Sequence, residues 1–159
     1  MKRVVLTLTT VAAMAMAVAV SAPVIQGRGL VDFVSHGHGE GRASFEVSVQ
    51  QNGKRLTGRF LFSAEGIHID QPEALTPGDG YPDLVVTAES IGSTQIKGNV
   101  ATLRTKAVLH QEPVMIMVML TDSRSKSVSD RFHIRCDRPD GTHLFHVEGP
   151  LTSGDISIR

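Results

Sequence analysis

The sequence predicts an all-β protein: a single antiparallel β-sandwich or small barrel of about 8 to 10 short strands, preceded by a signal peptide. Three observations point to this class. Apolar residues recur at every second position in several runs, most runs are short, and turn-forming residues separate most of them. The chain also contains 15 glycines, which suits an architecture with many tight turns.

The N-terminus has the features of a secretory signal peptide. Lys2 and Arg3 give a short basic start, residues 4–20 are uncharged, and small residues end at Ala22. We expect cleavage after Ala22 and a secreted, periplasmic or extracellular protein. The alternative is an uncleaved membrane anchor, because the run approaches the roughly 18 residues at which a spanning helix becomes plausible. Threonines within the run and Pro23 directly after it favour cleavage, and no cysteine follows that would indicate a lipoprotein.

The remaining residues, 23–159, are long enough for a single β domain with its own core. Loss of residues 1–22 removes two basic side chains from the 16 of each sign, which leaves a net charge of −2. A nucleic-acid partner is therefore not expected, since binding to phosphates needs clustered positive charge. No membrane association is expected after cleavage. Cys136 is the only cysteine, so no disulfide can form within the chain.

The clearest strand prediction is a hairpin. In residues 42–50 apolar side chains alternate with polar ones, as in a half-buried strand. Asn52 and Gly53 tolerate positive φ at the two central positions of a tight turn, and alternation resumes in residues 56–62. The residues expected on the inner faces of the two strands are Ala43, Phe45, Val47, Val49, Leu56, Gly58, Phe60 and Phe62.

Shorter strands are predicted along the rest of the chain. Ile67 and Ile69 predict one that ends at the turn-rich residues 71–82. The Pro-Asp-Gly sequence at residues 139–141 predicts a second hairpin turn. Residues 101–111 also fit a helix, although we favour a strand there. The other predicted strands are residues 84–91, 100–109, 114–120, 132–136, 144–147 and 156–158.

The alternation also predicts a core. Cys136 alternates with Phe132 and Ile134, so we expect its thiol to point inward as a small apolar group. The residues expected in the core are Phe45, Val47, Phe60, Phe62, Val114, Ile116, Val118, Leu120, Phe132 and Ile134.

The C-terminal half contains a recognisable order of motifs. The strand "IKGNV" is followed by "VMIMVMLTD", which ends in Asp122, then by "SDRFHIRC" and by "GPLTSGDISI". This order resembles the post-COAP type of bacterial extracellular accessory domain. The similarity extends in outline over residues 26–158, with a glycine-rich stretch before the Ala-Ser-Phe of residues 43–45. The matching positions are Asp122, Asp130, Phe132, Ile134, Leu151, Gly154, Ile156 and Ile158.

The resemblance implies a secreted β-rich domain. It implies no reaction, because the matching positions are mostly apolar residues that maintain a fold, and none is a known catalytic residue of the family. Cys136 departs from the family pattern, which has an apolar residue there, and so does the histidine pair His36 and His38.

The stretch "HGHGE" carries a candidate metal site. Alternate residues of an extended segment point to one side, so His36, His38 and Glu40 are a reasonable ligand set for Zn²⁺ or Cu²⁺. Against this, Gly37 and Gly39 raise the cost of ordering the ligands. The spacing also matches no strong motif such as H-E-x-x-H. A solvated loop is the favoured interpretation.

The other polar candidates are weaker. His133 should face away from its apolar neighbours, and His143 and His146, three residues apart, should lie on opposite faces of a strand. No Gly-x-Ser-x-Gly motif or other nucleophile motif is present, so no sequence motif supports a hydrolase. Four aspartates near strand ends could serve a Ca²⁺ site but are more typical of turns; they are Asp122, Asp130, Asp137 and Asp140.

One strand is apolar on both faces. Met115, Met117 and Met119 alternate with valine, isoleucine and leucine. We expect the methionine row to be covered by another sheet, a loop or long neighbouring side chains. The alternatives are an adhesive surface for a partner, or soft thioether ligands for copper.

These patterns favour a secreted, non-enzymatic accessory or binding module without a cofactor. Its partner would be an extracellular protein or polymer. The alternative is an extracytoplasmic copper or zinc binding protein that uses His36, His38 and Glu40. An enzyme acting on an extracellular polymer is a third class, but its paired carboxylates cannot be recognised from spacing within strands.

Overall fold

The computed structural model describes residues 23–35, 39–52, 55–67 and 84–159. The predicted signal peptide, His36, His38, Ile69 and the turn-rich residues 71–82 lie outside the described residues. Within them the chain forms nine strands: β1 (Pro23–Ser35), β2 (Gly39–Asn52), β3 (Arg55–Ala64), β4 (Leu84–Ala88), β5 (Ser93–Lys97), β6 (Val100–Leu109), β7 (Glu112–Thr121), β8 (Arg131–Asp137) and β9 (His143–Ile158).

The nine strands form one antiparallel sheet in the order β4-β3-β2-β1-β9-β8-β7-β6-β5. The sheet closes because β4 also pairs with β6, where Val86 lies opposite Leu109 and Thr87 opposite Val108. Eight strands therefore make a closed barrel, and β5 is an additional strand beside β6. The all-β prediction is confirmed, with the barrel rather than the sandwich as the architecture. Among the described residues no helix is long and apolar enough to cross a membrane.

β1 is central to the barrel and was not predicted. It pairs with β2 on one side and with β9 on the other, so the first and last strands are neighbours. Its inner face includes Gly27, where an added Cβ would lie 3.2 Å from Ile156 and 3.3 Å from the Phe45 ring. The glycine leaves room for that aromatic ring to pack over the strand.

Stacked phenylalanines fill the barrel interior. The Phe132 ring lies 4.2 Å from that of Phe45, 6.4 Å from Phe60 and 5.9 Å from Phe62, measured between centroids, and Phe62 also stacks on Phe145 at 6.0 Å. All ten residues predicted for the core are buried, as is Cys136. Among the described residues, buried side chains therefore fill the interior as a packed core, as expected for a barrel of eight strands.

Several predicted boundaries were wrong. β4 ends at Ala88 rather than at residue 91, and Ile67 is buried but lies beyond the end of β3. β5 was not predicted because all its side chains except the half-buried Thr94 are exposed, which leaves no apolar alternation. The strands predicted at residues 144–147 and 156–158 are parts of the single strand β9. Residues 100–109 form a strand, as favoured over a helix.

The structure places strand ends on both sides of each predicted turn. Asn52 pairs with Arg55, so the β2–β3 connection is residues 53–54, one residue later than predicted and outside the described residues. The turn at residues 139–141 joins β8 to β9, with Gly141 at a φ of 90°. The β6–β7 turn consists of His110 and Gln111, whose φ angles of 47° and 71° are unusual for side-chain-bearing residues.

Candidate functional site

The structure describes only part of the predicted "HGHGE" site. Ser35 and Gly39 are paired, so the described ends of β1 and β2 lie side by side. Glu40 lies at the start of β2, where it is exposed. His36 and His38 lie outside the described residues, so convergence of the three side chains stays a prediction.

The methionine row lies on the outer face of the barrel. Met115 is 39% exposed, and Met117 and Met119 are half-buried. Arg104 and Arg135 are the cross-strand neighbours of Met117 on either side. The expectation of a covered row is therefore wrong for Met115, because the barrel has one layer and its inner side is already filled. For the other two methionines, the half-burial agrees with partial cover by long neighbouring side chains.

The strand-end aspartates Asp122 and Asp130 hold backbone in place. Asp130, which is buried, accepts hydrogen bonds from the N–H groups of Ser123 at 2.8 Å and Ile156 at 2.7 Å. Asp122 accepts from the N–H groups of Arg124 at 2.8 Å and Ile158 at 3.2 Å. The Oδ2 atoms of both carboxylates thus attach the β7–β8 connection to β9, and the Oδ1 atoms bond backbone within the connection. All four oxygens are used, which favours the structural interpretation over a Ca²⁺ site.

The single cysteine is chemically protected. Cys136 lies in β8 with its side chain inward and fully buried, as predicted. Burial, followed by the nearby charge of Asp137, raises the pKa of its thiol to about 12. Because the thiolate is the reactive form, Cys136 is unsuited to act as a nucleophile near neutral pH.

An ion pair forms a ridge on the outer face of β2 and β3. Arg59 Nη2 donates to Glu46 Oε1 at 2.7 Å, and both side chains are at least half exposed. Exposed pairs of this kind add about 0 to 1 kcal/mol to stability, so the fold does not depend on it. We call this pair the Glu46–Arg59 ridge.

A polar concavity of about 630 Å³ lies on one side of the ridge, over β1, β2, β3 and β9. Within it Arg28 lies between its two cross-strand partners, Glu46 on β2 and Asp155 on β9. The side chains of Arg28 and Arg159 form no ion pair with any described residue. This concavity therefore presents guanidinium and carboxylate groups within one small area.

A second concavity of about 420 Å³ lies on the other side of the ridge, towards β4, and Leu61 and Thr87 line it. Leu61 is 44% exposed, and Thr87 lies opposite it on β4. Val85 on β4 is 40% exposed and Val108 on β6 is 46% exposed. Val108 is the partner of Thr87 on its other side. We call Leu61, Val85 and Val108 the apolar cluster; it surrounds Thr87 on the outer face where the barrel closes.

Sequence reasoning missed this surface although a signal was present. Leu61 occupies an outward position between the inward residues Phe60 and Phe62, and an apolar residue at such a position stands out from the alternation. Neighbours Val85 and Val108 could not have been assigned to the same surface, because the pairing of β4 with β6 is not visible in the sequence.

The prediction for His143 and His146 was also wrong. The register between β8 and β9 shifts by one residue at this point, so Leu144 and Phe145 both face inward. Such a bulge reverses the alternation beyond it. His143 and His146 therefore lie on the same outer face, with ring centroids 5.6 Å apart.

Comparison with known proteins found no matching protein-family model, no matching curated protein and no matching solved structure.

Proposed function

We propose that the protein is a secreted, non-enzymatic accessory module that binds another extracellular protein through the outer face of its barrel. The surface that carries this proposal is the pair of concavities on either side of the Glu46–Arg59 ridge, together with the apolar cluster beside it. The residues concerned lie on β9, β1, β2, β3, β4 and β6, so the surface is wide and rests on rigid strands.

The filled interior supports an outer binding face. Many eight-stranded barrels hold a small ligand inside, but here Phe132 and its three stacked neighbours occupy that space. The only cysteine is buried with a raised thiol pKa, and the sequence has no recognisable serine nucleophile motif. These features favour recognition over chemistry.

The composition of the outer surface favours a protein partner. Protein interfaces combine a small apolar centre with a polar rim that includes arginine. Here Leu61 supplies part of an exposed apolar centre, and the Glu46–Arg59 ridge and Arg28 provide charges of both signs beside it. A sugar polymer fits less well, because the chain has no tryptophan and one tyrosine, and aromatic residues make up only 4% of it.

Two features support an extracytoplasmic location. The N-terminal pattern predicts cleavage after Ala22, and β1 begins at the next residue, Pro23. Removal of residues 1–22 thus leaves every described strand whole. The resemblance to the post-COAP type of accessory domain points to the same location.

Site-specific crosslinking in the producing organism tests this proposal. A benzophenone amino acid would replace Leu61 in one strain and Ile96 in another. Ile96 is a matched control because it is 40% exposed on β5, outside the proposed surface. We expect illumination to give a crosslinked product of defined mass from position 61 and none from position 96.

A charge reversal adds a second arm to the crosslinking test. Arg59→Glu removes the ion pair with Glu46 but leaves the folded barrel intact, because both side chains are exposed. We expect this change to abolish the product from position 61. Identical products from positions 61 and 96, or a product unaffected by Arg59→Glu, would contradict binding at this surface.

A further inference from the structure

Two histidine rings face each other on the outer surface of β9. His146 Nδ1 lies 3.4 Å from His143 Nε2, and the ring planes are tilted by 33°. Hydrogen bonds from nitrogen in proteins are most often about 2.9 to 3.0 Å long, so this contact is weak as a hydrogen bond. The approach is fixed instead by the backbone, because the bulge at Leu144 sets both rings on one face.

The orientation of His143 is set by a carboxylate. Its Nδ1 lies 2.9 Å from Asp137 Oδ1, and Arg135 Nε in turn donates to both oxygens of Asp137 at 2.9 and 3.0 Å. A carboxylate paired with a guanidinium accepts hydrogen bonds, so His143 donates to it from Nδ1. Its Nε2 is the ring nitrogen that contacts His146.

This arrangement has the features of a histidine metal site. Metal-bound histidines usually donate their second ring N–H to a carboxylate, which fixes the tautomer and the ring orientation. Two imidazole nitrogens that each lie about 2.0 to 2.1 Å from a tetrahedral ion are roughly 3.3 Å apart. The observed separation of 3.4 Å therefore suits a shared ion after a small rotation of the rings.

We propose that His143 Nε2 and His146 Nδ1 bind one divalent transition-metal ion, with Asp137 as the residue that positions His143. Imidazole ligands suit Cu²⁺ and Zn²⁺, and Cu²⁺ binds nitrogen sites more tightly. The site uses none of the residues of the Glu46–Arg59 ridge, and it does not depend on the proposed binding function.

His143 and His146 are the two ligands that the described residues supply. Among the described residues no group of three or more histidine, cysteine, aspartate or glutamate side chains is arranged to hold a metal ion. The methionine row is also separate, since Arg135 lies between Met117 and His146 in the sheet, and two strand spacings are roughly 9 to 10 Å. Water would complete the coordination, as in sites that remain open to an external ligand.

Calorimetric titration of the folded, tag-free protein with Cu²⁺ and with Zn²⁺ tests the proposal. We expect saturable binding of one ion per chain, tighter for Cu²⁺, that is lost in both His143→Ala and His146→Ala. Asp137→Asn keeps both ligands but weakens the positioning bond, so we expect an affinity about 10- to 100-fold lower. His133→Ala is the matched control on the neighbouring strand and should bind as the unmodified protein does.

Two further measurements keep the test decisive. Electron paramagnetic resonance of the Cu²⁺-loaded protein should show hyperfine coupling to two imidazole nitrogens, which needs no variant. The double change His36→Ala with His38→Ala should leave the affinity unaltered. Saturable binding that survives in His143→Ala and His146→Ala, or that is lost only with His36 and His38, would overturn the proposal. Absence of saturable binding would also overturn it.

Discussion

Replacement of Phe132 by alanine is the most direct test of the packed interior. Phe132 is 1% exposed and stacks on Phe45, Phe60 and Phe62. Removal of a fully buried phenylalanine side chain costs about 3 to 5 kcal/mol, and each aromatic pair contributes about 0.5 to 1.5 kcal/mol beyond buried area. Because three ring pairs are lost at once, we expect a value in the upper half of the range, about 4 to 5 kcal/mol.

Urea unfolding followed by circular dichroism measures this loss. With a denaturant slope of about 2 kcal/mol per molar, the midpoint should fall by roughly 2 M while the slope stays constant. Leu61→Ala is the control, since Leu61 points outward from the same sheet, and its effect should lie within about 0.5 kcal/mol. A loss below about 1 kcal/mol for Phe132→Ala would mean that the interior is loose or hydrated and that a ligand could enter the barrel.

Three other predictions concern single features of the chain. Cys136 should react with a thiol reagent only after denaturation. Because the pKa of its thiol is about 12 in the folded protein and 9.0 as a free side chain, the unfolded chain loses the proton first, and the free energy of unfolding should fall between pH 9 and 12. This fall should be larger than in Cys136→Ala, and equal pH profiles of the two proteins would contradict the prediction. His36→Ala with His38→Ala should change the free energy of unfolding by no more than about 0.5 kcal/mol, and Zn²⁺ should raise the melting temperature no more in the unmodified protein than in the double variant; a gain that disappears with these histidines would indicate a metal site in the "HGHGE" stretch. His110→Asn with Gln111→Gly should raise stability by about 1 kcal/mol in thermal unfolding, because both positions have positive φ, and a lower melting temperature would show that the native side chains make compensating contacts.

The core could be predicted because alternation in a strand reports directly which side faces inward. Phe45, Phe60 and Phe132 come from three strands, and each was assigned to the core from its own run of residues. The same rule placed Cys136 correctly, since no bulge interrupts β8 between Phe132 and Cys136. The local pattern of apolar residues was sufficient to predict the core wherever a strand was regular and its inward side chains were large.

The parts of the fold that were not predicted depend on features that leave little pattern in the local sequence. β1 was missed because Gly27 and Gly29 occupy inner positions where an apolar residue would mark a strand. Closure of the barrel rests on a few pairs between β4 and β6, such as Val86 with Leu109, and long-range pairing is not encoded in alternation. The bulge at Leu144 reversed the face of His143.

The candidate surfaces were less predictable than the core for the same reason. Met115, Met117 and Met119 were correctly recognised as an unusual apolar row, but whether a second layer covers it depends on the architecture. The Glu46–Arg59 ridge joins two strands and the apolar cluster joins three, so both arise only when the strands are placed side by side. Function on the outer face of a barrel is thus a property of the assembled sheet.

The affinity of the protein for the partner recovered by crosslinking at position 61 tests the central claim most directly. With both proteins purified, titration calorimetry would compare the unmodified protein with Leu61→Asp and with Ile96→Asp, two equivalent changes at similarly exposed positions. We predict that Leu61→Asp weakens binding by about 10-fold or more, because a charge would replace an apolar contact at the centre of the interface, and that Ile96→Asp binds like the unmodified protein. Equal affinities for all three proteins would contradict recognition through this face of the barrel.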